Sequence, residues 1–154
     1  MSRISLEGQD INIIARMART VSHLDKMITK SIGEFSLTKP QMDVLFVLKF
    51  SNNNELKATE IAEELFVSKA NMSGLISRLE KEELIVRGID PTDSRARTLV
   101  LTDKAKNVLD KVIPKYFEMT AEIMSKFSSE EKTKLLEQLE YIESCMSKGG
   151  VHDV

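Results

Sequence analysis

Little in this chain of 154 residues points to covalent or metal chemistry. It holds one cysteine, Cys145, so no intrachain disulfide can form, and a lone thiol near the end of a helix is expected to be buried and inert. His23 and His152 are the only histidines, too few for a dedicated histidine-rich metal site. The six glycines are scattered, with Gly74 and Gly88 standing alone, so there is no glycine-rich loop to cradle a phosphate. Nor is there a Ser/His or Cys/His spacing of the kind nucleophilic catalysis needs. Asp90 and Asp93 form a carboxylate pair, but in a turn, where such side chains ordinarily bond the backbone. The chain is therefore expected to be no enzyme and to need neither cofactor nor metal. Residues 1–10 lack an apolar run, and Arg16, Arg19 and Asp25 interrupt the next one, which argues against a signal peptide or membrane span. Together with the sparse cysteine, this implies a cytoplasmic protein. A formal net charge of −2 excludes a nonspecific nucleic-acid coat. What is left, 42% hydrophobic and 30% charged, is a soluble globular unit able to bury a core without staples.

Residues 85–102 carry the most information. Residues 86–89 and 98–101 are β-branched or apolar, and between them Asp90-Pro91-Thr92-Asp93 supplies turn chemistry, so the stretch predicts a hairpin with Arg95 and Arg97 near its tip. Guanidinium groups on an exposed hairpin suit a narrow, electronegative minor groove. Taken alone, such a hairpin is equally an ordinary solvated loop. The helix before it changes the balance. Ser68 is an N-cap, and Met72, Leu75, Ile76 and Leu79 follow at spacings of three and four, making one face core. The other face presents Lys69, Ala70, Asn71, Ser73, Gly74, Ser77, Arg78 and Lys81, small or hydrogen-bonding residues that let a helix sit deep in a major groove. Upstream, Ile61, Ala62 and Leu65 mark a short amphipathic helix leading through Phe66-Val67 into Ser68. Helix, turn, small-faced helix and basic hairpin, in that order, predict a winged helix-turn-helix that binds double-stranded DNA.

Charge placement agrees more than charge total. Basic against acidic groups number 7 to 5 in residues 1–50, 1 to 4 in 51–67, 8 to 6 in 68–106 and 6 to 9 in 107–154. The excess is small, so the reading rests on where Arg78, Arg87, Arg95 and Arg97 stand rather than on how many cations there are.

The rest of the chain is expected to be helical. Ile11, Ile14, Ala18, Val21, Asp25, Ile28 and Ile32 form a heptad-like stripe ending near Gly33 as a C′ residue. Thr38-Lys39-Pro40-Gln41 is an N-cap, an early proline and a capping-box glutamine opening an apolar helix; Thr38 and Lys39 are further candidate DNA contacts. Residues 103–127 predict a long helix with Val108, Leu109, Val112, Ile113, Tyr116, Phe117, Ile123 and Met124 inward and a kink at Pro114. Ser128-Ser129-Glu130-Glu131 caps a last helix before a tail. The fold class is thus mainly α with a small β-hairpin wing, organised as an N-terminal dimerisation helix (1–36), a winged helix-turn-helix lobe (37–102), C-terminal dimerisation helices (103–147) and a flexible tail (148–154). The terminal helices hold more apolar surface than the lobe can cover, which implies a homodimer reading a pseudo-palindromic site; the competing expectation is that they pack on their own monomer. Met17, Val21, Met42, Phe46 and Tyr116 are candidates for an adaptable small-molecule effector pocket, or simply for core. A winged helix that docks protein through its hairpin is the rival function, and would predict salt-insensitive, weak DNA binding.

These residues resemble the multiple-antibiotic-resistance-regulator (MarR) family over roughly residues 10–147. The resemblance rests on Leu37-Thr38-Lys39-Pro40-Gln41, on Val67-Ser68-Lys69 followed by Leu75, Arg78, Leu79, Glu80 and Lys81, and on Asp90-Pro91-Thr92-Asp93-Ser94-Arg95 ending in Leu101-Thr102. It implies a homodimeric transcriptional regulator, usually a repressor, relieved by a small ligand or oxidant. It also implies that Asp93 orients Arg95, that Arg95 or Arg97 enters the minor groove, and that Ser68, Asn71, Ser73 and Ser77 face bases or phosphates. Three family glycines are replaced, by Phe66 in the helix-turn-helix turn, Glu83 after the recognition helix and Ala105 after Leu101-Thr102. Each replacement loses a residue that adopts positive φ freely, which puts the turn geometry in question. Lys57 stands where a capping hydroxyl is common, so Thr59 is expected to cap a shorter third helix.

Overall fold

The computed structural model describes residues 8–89 and 97–148. The elements in chain order are α1 (Gln9–Ile32), α2 (Lys39–Phe50), β1 (Glu55–Lys57), α3 (Ala58–Glu64), α4 (Lys69–Lys81), β2 (Ile85–Ile89), β3 (Arg97–Leu101), α5 (Asp103–Met124) and α6 (Ser129–Lys148). The fold is mainly α with one small antiparallel sheet.

Helix α2 opens on the capping box that its sequence predicts. The Gln41 amide donates to Thr38 Oγ1 at 3.4 Å and the Thr38 amide donates to Gln41 Oε1 at 2.9 Å, so two amides without helical partners are each satisfied by the other residue's side chain. Behind the cap, Met42, Val44, Leu45 and Leu48 are all buried, and three of them join the core that α2 shares with α3, α4, the sheet and the first turns of α5. Helix α1 ends differently from expectation. Gly33 is right-handed (φ −58°) and starts a short 3₁₀ turn, Gly33–Phe35; the left-handed residue that closes the turn is Ser36 (φ 57°), whose amide donates to the Gly33 carbonyl at 3.3 Å. Helix α3 starts two residues earlier than expected. Lys57 occupies the N-cap, its amide donating to Glu60 Oε2 at 2.6 Å, and Thr59 lies inside the helix.

Both questioned turns keep the backbone that glycine would have adopted. After α3, Phe66 (φ 51°) donates to the Glu63 carbonyl and Val67 to that of Ala62; after α4, Glu83 (φ 58°) donates to Glu80 and Leu84 to Leu79. Each is a Schellman cap with a non-glycine residue at C′, followed by a residue whose apolar side chain returns to the core. A side chain at left-handed φ costs about 1 kcal/mol, which the paired carbonyls and the buried Leu84 offset. Ala105 needs no such freedom, because it is a fully buried residue within the first turn of α5, its amide donating to Thr102 Oγ1 at 3.1 Å.

The sheet has three strands in the order β1-β3-β2, where the sequence predicts only the hairpin. Glu55 lies opposite Val100 and Lys57 opposite Thr98, so β1 covers the far edge of β3. Gly88, opposite Thr98, is needed for its lack of a side chain: a Cβ there would meet Thr98 Oγ1 at 2.8 Å, the hydroxyl that donates to Glu55 across the sheet.

Two compact units divide within α5, between Tyr116 and Phe117. In the first, Ala105, Leu109 and Val112 of α5 are buried, while Val108, Ile113 and Tyr116 are only partly so. In the second, Phe117 is half exposed, a departure from the inward position expected of it. Helix α6 has the predicted cap, Ser128 donating from its amide to Glu131 Oε2 at 2.8 Å and its Oγ accepting from the Glu131 amide at 3.2 Å. None of its described side chains is buried. Cys145 is therefore exposed in the single chain, contrary to the buried thiol expected, because it stands on a helix none of whose described side chains is buried. Helix α5 runs through Pro114 as one element.

Candidate nucleic-acid interface

The candidate recognition surface is built on α4. Ser68 caps the helix, its Oγ accepting from the Asn71 amide at 3.3 Å, and Met72, Ile76 and Leu79 anchor one face in the core. The opposite face is open: Ser68, Lys69, Ala70, Asn71, Ser73, Gly74, Ser77, Arg78 and Lys81 are all exposed. A Cβ built on Gly74 would meet nothing within 4 Å, so glycine there serves no internal packing; it leaves a recess on the surface. That recess continues as a groove of about 390 Å³ lined by Pro40, Val67, Ala70, Asn71, Gly74, Leu75 and Arg78. The small residues thus form a concave strip with a guanidinium at one end and the N-cap, where helix amides carry partial positive charge, at the other.

The candidate cations fall into two groups. Lys39 sits 2.7 Å from Asp43 and 3.4 Å from Asp25; burial opposes its charge, but the two carboxylates outweigh that and hold its pKa above the usual lysine value. Arg87 donates from Nε and Nη2 to the two carboxylate oxygens of Glu80, at 2.7 and 3.3 Å, and that hydrogen-bonded charge raises its pKa further above the usual arginine value. Lys69 and Arg78, by contrast, make no ion pair among the described residues. Arg97 is exposed at the start of β3, opposite Ile89. Asp93 and Arg95 lie outside the described residues. Thr38 is spent on the cap of α2.

Sequence reasoning missed the groups that hold the far end of α4. Gln41 is buried (4% exposed), and its Nε2 donates to Glu82 Oε2 at 2.8 Å, tying the start of α2 to the end of α4. Lys104 Nζ donates to the Glu82 carbonyl at 2.7 Å and Thr102 Oγ1 to the Glu83 carbonyl at 2.8 Å, so the carbonyls that a helix end leaves open are filled from α5 and its leading residue. Gln41 carries a signal only as a capping-box residue; its second role depends on a partner 41 positions away.

Of the five effector-pocket candidates, the structure brings together Phe46 and Tyr116, whose ring centroids lie 5.2 Å apart. Met42 is core at 2% exposure, Val21 is exposed at 57% and Met17 is partly buried. Phe46 instead borders a cleft of about 600 Å³ with Val47, Phe50, Ser51, Asn52, Leu56, Glu60 and Glu64. Among the described residues no group of three or more His, Cys, Asp or Glu side chains could hold a metal ion, and no helix is long and apolar enough to cross a membrane.

A helix-turn-helix with an exposed small-faced second helix, followed by a sheet-anchored hairpin, defines a winged helix-turn-helix protein. The sequence model of the MarR family matches residues 35–96. The HTH-type transcriptional regulator YfiV of Bacillus subtilis (strain 168) is 30% identical over 143 residues, covering 88% of each chain. Among solved structures, the S. aureus MepR–DNA complex superposes with a TM-score of 0.78 at 23% identity, covering 86% of this chain and 95% of that one. Sco3205, a MarR family transcriptional regulator from Streptomyces coelicolor solved in complex with DNA, superposes with a TM-score of 0.80 at 18% identity, covering 94% of this chain and 92% of that one. At those identities the structural likeness is one of fold. The chain belongs to the MarR family, and it is a DNA-binding transcriptional regulator rather than an enzyme.

Proposed function

We propose that the protein is a homodimeric repressor of a pseudo-palindromic operator, with α4 in the major groove, the β2–β3 hairpin in the minor groove, and repression relieved by a small-molecule effector. The observation that carries this reading is the outward face of α4, where Ala70 and Gly74 leave a groove beside exposed Asn71 and Arg78. Small side chains allow close approach to base edges, and the polar ones supply donors and acceptors to read them. In this reading Ser68, Lys69, Asn71, Ser73, Ser77 and Arg78 contact bases or phosphates, and Arg95 or Arg97 enters the minor groove with Asp93 orienting Arg95. Thr38, Lys39 and Arg87 flank that surface.

Dimerisation falls to α1 and the C-terminal helices, where Ile11, Ile14 and Val21 on α1 and Leu136, Tyr141 and Met146 on α6 are exposed. A two-fold dimer sets its two recognition helices about one DNA turn apart, roughly 34–36 Å, which is why the operator is expected to be pseudo-palindromic. The aromatic pair Phe46 and Tyr116 is the proposed focus of the effector site.

Fluorescence anisotropy with DNA from upstream of the gene, at two salt concentrations, tests the reading. Wild type is expected to bind tightly at low salt and to lose orders of magnitude in affinity at physiological salt, while Arg95→Ala with Arg97→Ala binds far more weakly. Binding that ignores both salt and the arginines would favour the protein-docking alternative.

A further inference from the structure

The recognition helix and the first wing strand meet at a short corner, residues 82–84. Along β2, Ile85 is buried and Arg87 follows two positions later, on the same side of the strand. From there the Arg87 guanidinium reaches back over the corner and forks onto the Glu80 carboxylate of α4, at 2.7 and 3.3 Å. A planar fork on a carboxylate fixes direction as well as distance, which a lysine in that place could not do. The end of α4 is already held by Gln41, Thr102 and Lys104. With the helix anchored, what the fork adds is the angle of the strand.

We propose that Glu80 and Arg87 form a positioning pair for DNA reading: they hold the wing strand at a set angle to the recognition helix, and Arg87 makes no phosphate contact of its own. This rests on the assignment of α4 and the hairpin as the DNA-reading surface. It assigns opposite consequences to one substitution. Glu80 is a negative charge on the helix that approaches phosphates, so by relief of Coulomb repulsion alone its removal tightens binding. If Glu80 positions the wing, its removal weakens binding.

The test uses the full chain and an operator fragment enriched by the wild type from random-sequence duplex DNA, with affinity followed across a salt series. Exposed ion pairs contribute little to global stability, so Glu80→Ala and Arg87→Ala are expected to fold, as thermal melts followed by circular dichroism verify. Each is expected to weaken operator binding about 3- to 5-fold with the salt slope unchanged, the double variant to be no weaker than either single one, and the exchanged pair, Glu80→Arg with Arg87→Glu, to recover most of the loss. Tighter binding by Glu80→Ala overturns the proposal. So does a salt slope made shallower by Arg87→Ala, by about 0.9 for each phosphate that the guanidinium had neutralised. Should no sequence be enriched, the DNA-reading assignment fails on its own account. Hydrogen exchange in the free protein then judges the pair: faster exchange of β2 and β3 amides in both single variants supports it, and unchanged exchange overturns it.

Discussion

Helices α4 and α6 both carry an apolar stripe, and only α4 finds its cover within its own unit. Met72, Ile76 and Leu79 are at most 4% exposed, whereas on the α6 stripe Leu135 and Leu139 are 38% and Met146 52% exposed. Since helices in proteins owe most of their stability to tertiary packing, a 20-residue helix none of whose described side chains is buried lacks the support that α4 has. The core around α4 closes within its own unit; the apolar stripe of α6 calls for a second surface. In the proposed homodimer that surface is the partner's equivalent helices, and the exposed Cys145 lies on the same helix.

The contrast breaks most severely at Leu79. Leu79→Ala empties a fully buried site and is expected to cost about 2–5 kcal/mol in urea unfolding, enough to remove most of the stability of a small lobe. A cost below that of an exposed leucine would mean the core does not close on α4. Next comes the face of α6. Leu136→Glu with Leu139→Glu is expected to leave the helical circular dichroism spectrum in place but to turn a dimer into a monomer in sedimentation, and, by losing the linked second recognition helix, to weaken operator binding about 100-fold or more. A variant that sediments as a dimer would place the interface elsewhere. The smallest effect sharpens the comparison at the ends of the short helices. Glu83→Gly and Phe66→Gly each relieve a left-handed side chain, partly offset by glycine's freedom in the unfolded chain, and are expected to raise stability by about 0.5–1 kcal/mol in the same urea assay. Loss of stability at both positions would show that their side chains, exposed as Phe66 is at 79%, hold the turns by contact.

Much of the recognition lobe was legible because its signals are local. The Thr38 and Ser68 caps, the Met72-Ile76-Leu79 stripe and the two wing strands each depend on residues three or four apart or on simple alternation. Strand β1 was not legible: Glu55-Leu56-Lys57 has no strand pattern of its own and becomes one by pairing with residues 98–100 of β3. Gly33 was legible as a helix stop but not as a right-handed one, since the chain defers the left-handed residue to Ser36. The missing family glycines at Phe66 and Glu83 left the turns in question, and the carbonyls of Ala62 and Leu79, each closing a Schellman cap, answered it. Of the candidate site, the outward face of α4 followed from helical spacing. The roles of the cations did not, because Glu80 stands on α4 and Arg87 on β2, and the two meet only where the chain turns back between those elements.

Sequence alone determined where α2, α4 and α6 begin, which face of α4 is core, and that small polar residues occupy the other face. Those features arise from hydrogen bonds and side-chain neighbours within a turn or two of each residue. Only the tertiary structure decided that Lys39 and Arg87 are held by carboxylates, that Gln41 anchors the end of the recognition helix, that Gly88 makes room for Thr98 and Glu55, and that α6 keeps its apolar side chains exposed. Charge pairing and burial belong to neighbours that the fold brings together from distant parts of the chain, and no local pattern records who those neighbours will be.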